Sequence, residues 1–162
     1  MRNQMYWTKI TIVLALSCVL CGCTRLFFYP MQQHVTVPSE LGYDYQDVFL
    51  RSADGTRLHA WVIEPKGPPL GTILFLHGNA ENISTHFRAT LWLIDKGYRI
   101  VALDYRGYGL SEGKPDVPAV YIDIAAGAQW INQRYRDVTQ TSSHPVFLLG
   151  QSLGASLAIK YA

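Results

Sequence analysis

Three short stretches of the chain are apolar almost without interruption: Thr72-Ile73-Leu74-Phe75-Leu76, Arg99 to Leu103, and Val146-Phe147-Leu148-Leu149. Runs of this length suit parallel strands covered on both faces, where no position looks to water. Between them the period changes. Ile83, Phe87, Leu91 and Ile94 recur at spacings of four, four and three, which predicts one helix of about fourteen residues stopped by Gly97. Val117, Tyr121, Ile124, Gly127, Ala128 and Ile131 mark a second helix, with Pro118 tolerated in its first turn. Ala155 to Ala162 is a third helix-prone run. Ahead of all this, Tyr45, Asp47, Phe49 and Arg51 alternate with Gln46, Val48 and Leu50, and Leu58 to Ile63 reads as a return strand ended by Pro65. Asp54-Gly55 between them is a hairpin signal, with both central turn residues expected at positive φ. Lys66 to Leu70 and Asp137 to Pro145 read as loops.

The order is therefore a hairpin followed by β-α-β-α-β-turn-α. Buried strands alternating with amphipathic helices predict an α/β fold, a parallel sheet with helices on both faces. Ligands of such sheets bind at the carboxyl ends of the strands. His77-Gly78-Asn79, the loop from Asp104 to Gly109, and Ser152 all fall at those ends, so they are expected on one rim.

Composition narrows the class. Of 162 residues, 49% are hydrophobic and 16% charged, enough for a core and against disorder. A net charge of +2, carried by scattered basic residues, argues against nucleic acid as a partner. The three cysteines, Cys18, Cys21 and Cys23, all precede the predicted domain, which excludes disulfides and cysteine–metal sites within it. There is no internal repeat. No metal or organic cofactor is implied, since nothing in the sequence resembles a ligand cluster.

Arg2 and Lys9 flank the start of an apolar stretch, Ile10 to Leu20, of eleven residues. This is shorter than the ~20 residues of a spanning helix, and Arg25 follows soon after. It predicts a secretory signal over residues 1–22, with an uncleaved short anchor as the alternative. Leu20-Cys21-Gly22-Cys23 resembles the bacterial lipobox, with small Gly22 before the cysteine that is modified. The resemblance implies that Cys23 becomes the lipidated first residue of an exported protein in the bacterial cell envelope. Thr24, not aspartate, follows, so no inner-membrane retention is implied and the outer membrane stays open. Residues 23–44, with Pro30 and Pro38 and no clear period, are expected to tether the domain that starts at Tyr45 to the membrane.

The strongest chemical signal is Gly150-Gln151-Ser152-Leu153-Gly154, a G-x-S-x-G that follows a buried strand and opens a helix. A serine hydroxyl is a weak nucleophile unless held exposed beside a base and an oxyanion site. A tight strand-to-helix turn holds it, and glycines let the two backbones approach. Together with His77-Gly78-Asn79-Ala80-Glu81-Asn82 and Asp104-Tyr105-Arg106-Gly107-Tyr108-Gly109-Leu110-Ser111, in that order, this motif resembles the α/β-hydrolases. It is similar to their serine-aminopeptidase-like branch, which includes membrane-associated esterases. The resemblance covers about Tyr45 to Ala162 and implies the N-terminal part of that fold: the antiparallel hairpin, then parallel βαβαβα with the nucleophile elbow, the sheet incomplete.

By that resemblance Ser152 is the nucleophile, the Leu153 N–H is one oxyanion donor, and the Asn79 N–H is the other, with Ala80 as its alternative. Backbone amides suit this task as fixed dipoles; losing one comparable side-chain donor in a protease costs roughly 2.7–4 kcal/mol. The implied substrate is a small carboxylic ester, thioester or amide. The family's acid and histidine follow the nucleophile, whereas His34, His59, His77, His86 and His144 all precede Ser152, and no Asp or Glu follows it. The expectation is an N-terminal part of a hydrolase that lacks its base. An inactive hydrolase-like surface lipoprotein is the alternative, and an acyltransferase on the same elbow a third reading.

Other features have plainer expected roles. Arg106 with Gly107-Tyr108-Gly109 lacks the lysine and spacing of a phosphate loop and reads as a tight turn. Asn82-Ile83-Ser84 matches a glycosylation sequon but stands where a helix cap is expected. Trp61, Trp92 and Trp130 are expected in packing. The five histidines are expected as surface or packing residues, with His77 supporting the oxyanion loop.

Overall fold

The computed structural model describes residues 27–135 and 145–162. The expected signal sequence, Cys23, most of the loop before Pro145, and His144 lie outside the described residues. In chain order the elements are β1 (Tyr29–Pro30), a 3-10 turn (Pro38–Leu41), β2 (Tyr45–Arg51), β3 (Arg57–Ile63), β4 (Gly71–Leu76), β5 (Ala80–Glu81) and α1 (Ile83–His86). A second 3-10 turn (Phe87–Thr90) leads to α2 (Leu91–Asp95), β6 (Tyr98–Asp104), α3 (Val117–Tyr135), β7 (Val146–Gly150) and α4 (Leu153–Tyr161).

Five strands form one sheet in the order β2-β3-β6-β4-β7. β2 and β3 are the antiparallel hairpin, and β3 pairs antiparallel with β6. β4 lies between β6 and β7, parallel to both. This is the α/β arrangement that the alternation of runs predicts. The apolar runs are continuous because both faces are covered. From β6, Val101 and Leu103 pack with Leu74, Leu76, Ile124, Ile131 and Leu157, under α3 and α4. Ile100 and Ala102 pack on the other face with Ile73, Phe75, Ile83, Phe87 and Ile94. Each Val, Leu, Ile or Phe side chain fully buried here contributes about 1.5–3 kcal/mol. β7 is an edge strand, and Val146 and Phe147 stay exposed there.

Three local expectations differ from the structure. The span from Ile83 to Asp95 is not one helix but two short helices joined by a 3-10 turn. Its buried positions still face the sheet, but the Thr90 hydroxyl donates to the Phe87 carbonyl at 2.6 Å, a back-bond that competes with the helical ladder. The hairpin turn is not of the two-residue type. Only Gly55 has positive φ; Gly55 N donates to Ser52 O at 2.9 Å and Ser52 N to Thr56 O at 3.0 Å, which gives a longer turn with a glycine bulge. Trp61 is fully buried, but Trp92 is 62% exposed and carries no core.

The segment expected as a tether is laid onto the domain from residue 27 onward. Phe28 and Pro38 are buried, and β1 pairs with β5. The Asn82 side chain donates to the carbonyls of Met31 and Gln33, each at 2.9 Å, while Gly109 N reaches Met31 O at 2.9 Å. A chain with this many satisfied backbone groups and a buried Phe gains by docking rather than by staying in water. Asn82 also caps α1 as expected, its Oδ1 accepting from Ser84 N at 2.9 Å. Among the described residues, no helix is long and apolar enough to cross a membrane.

Candidate active site

The register of the sheet assembles the site. Gly150, the last residue of β7, stands opposite Leu76, the last residue of β4. The two chains leave the sheet side by side, one into Gln151-Ser152 and the other into His77-Gly78-Asn79. Gln151 N donates to Leu76 O at 3.0 Å and ties the turns together. A Cβ on Gly150 would collide with the Gly154 carbonyl. One on Gly154 would collide with the Leu76 carbonyl and stand 2.6 Å from that of His77. Both glycines are needed for this close approach.

Ser152 precedes α4 with φ +54° and ψ −116°. A side chain in such a conformation costs about 1–3 kcal/mol. The turn is held by bonds from Gly154 N to Gln151 O (2.9 Å) and from Ala155 N to Ser152 O (3.0 Å). Ser152 is exposed, and its hydroxyl makes no capping bond to the helix. The Leu153 amide, the first of the helix, has no intrahelical acceptor, so it lies at the positive end of α4.

The facing loop is braced from below. The Tyr105 hydroxyl donates to the His77 carbonyl at 3.1 Å, and the Tyr108 hydroxyl to the Asn79 carbonyl at 2.6 Å. The His77 ring is buried against the rings of Tyr105 (4.3 Å) and Tyr108 (4.8 Å). Its Nδ1 lies 2.7 Å from the Gly78 carbonyl. Burial pushes its pKa down to about 4, only partly opposed by nearby Asp104, so it is neutral at pH 7. A ring packed in this way serves as a support. His86 spans both turns, with Nε2 2.9 Å from the Ala80 carbonyl and Nδ1 3.1 Å from Gln151 Oε1.

Arg106 is fully engaged. Its guanidinium donates to Asp123 (Nη2 to Oδ1, 2.7 Å) and to Asp54 (Nη1 to Oδ2, 2.7 Å), and its backbone N–H to Asp123 Oδ2 at 2.9 Å. It shapes the turn that carries Tyr105 and Tyr108, in keeping with the tight turn read from the sequence. Asp104 is not part of that exposed rim. It ends β6 and is fully buried beside three histidines: His34 Nε2 at 3.3 Å, His59 Nδ1 at 3.5 Å and His77 Nε2 at 3.6 Å. Burial raises its pKa, but His34, His59, His77 and the Ile83 amide outweigh burial and hold it below the usual carboxylate range.

The structure thus brings together Ser152, Leu153 and the loop of Asn79, residues singled out from the sequence. It also reveals parts that sequence reasoning missed. The two tyrosine hydroxyls lie in a motif noted for its turn, and only their spacing from the glycines hinted at a second role. The grouping of His34, His59 and Asp104 carries no sequence signal, because no short spacing unites them.

Comparison with known proteins bears out the family and the fold. The family model described as serine aminopeptidase, S33, matches residues 67–162. The alpha/beta hydrolase domain-containing protein WAV2 of Arabidopsis thaliana is 31% identical over 156 residues, which cover 90% of this chain and 48% of that protein. The uncharacterized protein YfhR of Salmonella typhi is 31% identical over 135 residues, covering 80% of this chain and 44% of its own. This chain therefore spans about half the length of these curated relatives. Among solved structures, the esterase Pf2001 of Pyrococcus furiosus superposes with a TM-score of 0.70 at 26% identity, covering 83% of this chain and 52% of the esterase.

Proposed function

The chain belongs to the serine aminopeptidase S33 family of α/β-hydrolases, and from that premise we propose that it carries the nucleophile of a serine hydrolase acting on carboxylic esters, thioesters or small amides. In this reading Ser152 Oγ attacks the acyl carbon. The N–H groups of Leu153 and Asn79 hold the oxyanion. The leaving group departs with the proton taken from Ser152, and water then releases the acid from the acyl-enzyme and restores the serine.

The observation that carries this reading is the conformation of Ser152. A non-glycine residue at φ +54° with its hydroxyl free of any capping bond is a strained arrangement, and strain of this kind persists where a turn is over-determined for use. The exposed end of α4 and the braced loop of Asn79 flank it. The base is not among the described residues. His77 is buried as a neutral support, His34 and His59 face Asp104, and His86 faces the Ala80 carbonyl. The reading takes the histidine and its acid from sequence following the elbow in the natural protein. It further includes an acyl anchor on Cys23, which would keep the site at a membrane surface.

A fluorophosphonate probe applied to the natural full-length protein tests it. Labelling at Ser152, absent from Ser152→Ala, is the expected result. A folded, full-length protein that takes no label overturns the reading.

A further inference from the structure

We propose that His34, His59 and Asp104 form a binding site for a divalent first-row transition ion, with zinc as the fitting example, and that this ion fastens the N-terminal segment across the sheet. The three residues come from three places. His34 lies on the segment that docks over the sheet. His59 is in β3 and Asp104 ends β6, where the two are paired directly across the ladder. One ligand atom from each lies within 4.8 Å of the other two.

The distances are those of ligands around an ion. Asp104 Oδ2 is 3.3 Å from His34 Nε2 and 3.5 Å from His59 Nδ1. Ordinary N–H···O bonds run to about 3.2 Å, and charge-assisted ones are shorter. The ligand-to-ligand edge of a tetrahedral zinc site with bonds near 2.0–2.2 Å is about 3.3–3.5 Å.

The partners of His59 suit a metal ligand. His59 Nε2 lies 2.8 Å from Asp47 Oδ1, which also accepts from Trp61 Nε1 at 2.9 Å. A carboxylate only accepts, so Nε2–H donates to Asp47 and Nδ1 is the nitrogen left to face Asp104. Nδ1 stands 3.5 Å from Asp104 Oδ2, so both atoms are placed to ligate one ion. The pair Asp47–His59 is then the carboxylate that orients a metal-bound histidine from outside. Asp104 Oδ1 is likewise fixed, accepting from Ile83 N at 3.0 Å.

Gly109 packs closely beside the site. A Cβ there would collide with Asp104 Oδ2 and stand 2.8 Å from His34 Nε2. His59 and Asp104 are closed to solvent, while the His34 side chain is 16% exposed. This supplies two nitrogens and one oxygen from the protein, with a water-accessible edge for a fourth ligand.

The test uses the natural full-length protein without a histidine tag, with its cysteines alkylated so that they take no metal. Zinc is titrated in competition with a chromophoric chelator, and the melting temperature is read with zinc and after chelation. Expected are one equivalent bound, a melting temperature that rises with zinc, at least a hundredfold weaker binding in His34→Gln, and about tenfold weaker binding in Asp47→Asn. Cobalt bound in place of zinc is expected to give the visible bands of a tetrahedral site. No bound equivalent in the parent chain overturns the proposal. So does equal affinity in folded His34→Gln and Asp47→Asn, or nitrogen resonances showing His59 protonated at both ring positions with zinc present.

Discussion

The Tyr108 hydroxyl donates a 2.6 Å hydrogen bond to the Asn79 carbonyl, so the loop beside Ser152 is held by a side chain from a different strand connection. That carbonyl shares its peptide with the Ala80 N–H, the alternative oxyanion donor, while the peptide of the Asn79 N–H is held through the Gly78 carbonyl, 2.7 Å from His77 Nδ1. Tyr108→Phe keeps the ring and removes the hydroxyl, with its bond to the Asn79 carbonyl and its 3.3 Å contact to Asn79 Oδ1. In the full-length hydrolase it is expected to lower kcat about five- to tenfold with KM nearly unchanged, as the loss of about 1 kcal/mol of transition-state alignment implies. Steady-state kinetics on a chromogenic ester checks this. A rise in KM alone would assign Tyr108 to substrate binding.

The strain at Ser152 has a stability consequence. Glycine accepts φ +54° without the Cβ penalty, so Ser152→Gly is expected to raise the stability of the chain by about 1 kcal/mol while abolishing probe labelling. Urea unfolding of both variants measures the difference. A destabilised glycine variant would mean that the serine side chain contributes contacts that outweigh its strain.

Arg106 links the hairpin turn, α3 and the loop of the two tyrosines through Asp54 and Asp123. Asp123 is fully buried. Arg106→Ala leaves that carboxylate without its partner and is expected to cost about 3–5 kcal/mol, whereas Arg106→Lys keeps the charge, loses the fork and costs less. Denaturant midpoints separate the two. Equal losses would show that the fork geometry, not the charge, is what Asp123 requires.

The proposed acyl anchor predicts a change in processing. Cys23→Ser is expected to block lipidation and shift the protein from the membrane fraction of a bacterial host. An inhibitor of lipoprotein signal peptidase is expected to leave the precursor uncleaved, seen as a slower band on a gel. Unchanged mobility under the inhibitor removes Cys23 from the account.

The sequence by itself determined the layered fold and the position of the elbow. Continuous apolar runs leave a strand no exposed face, helical spacing puts Ile124 and Ile131 on one side, and Gly150 and Gly154 mark where strand and helix must nearly touch. These are local signals, each contained within a few residues. The tertiary structure decided what local signals cannot carry. The break at Thr90 follows from a side-chain bond that competes with the ladder. The docking of residues 27–37 depends on carbonyls satisfied by Asn82, some fifty positions away. The gathering of His34 and His59 around Asp104 arises because β3 and β6 are neighbours in the sheet and the N-terminal segment crosses their ends. Pairing between distant strands brings such residues within a few ångströms, and no spacing along the chain records it.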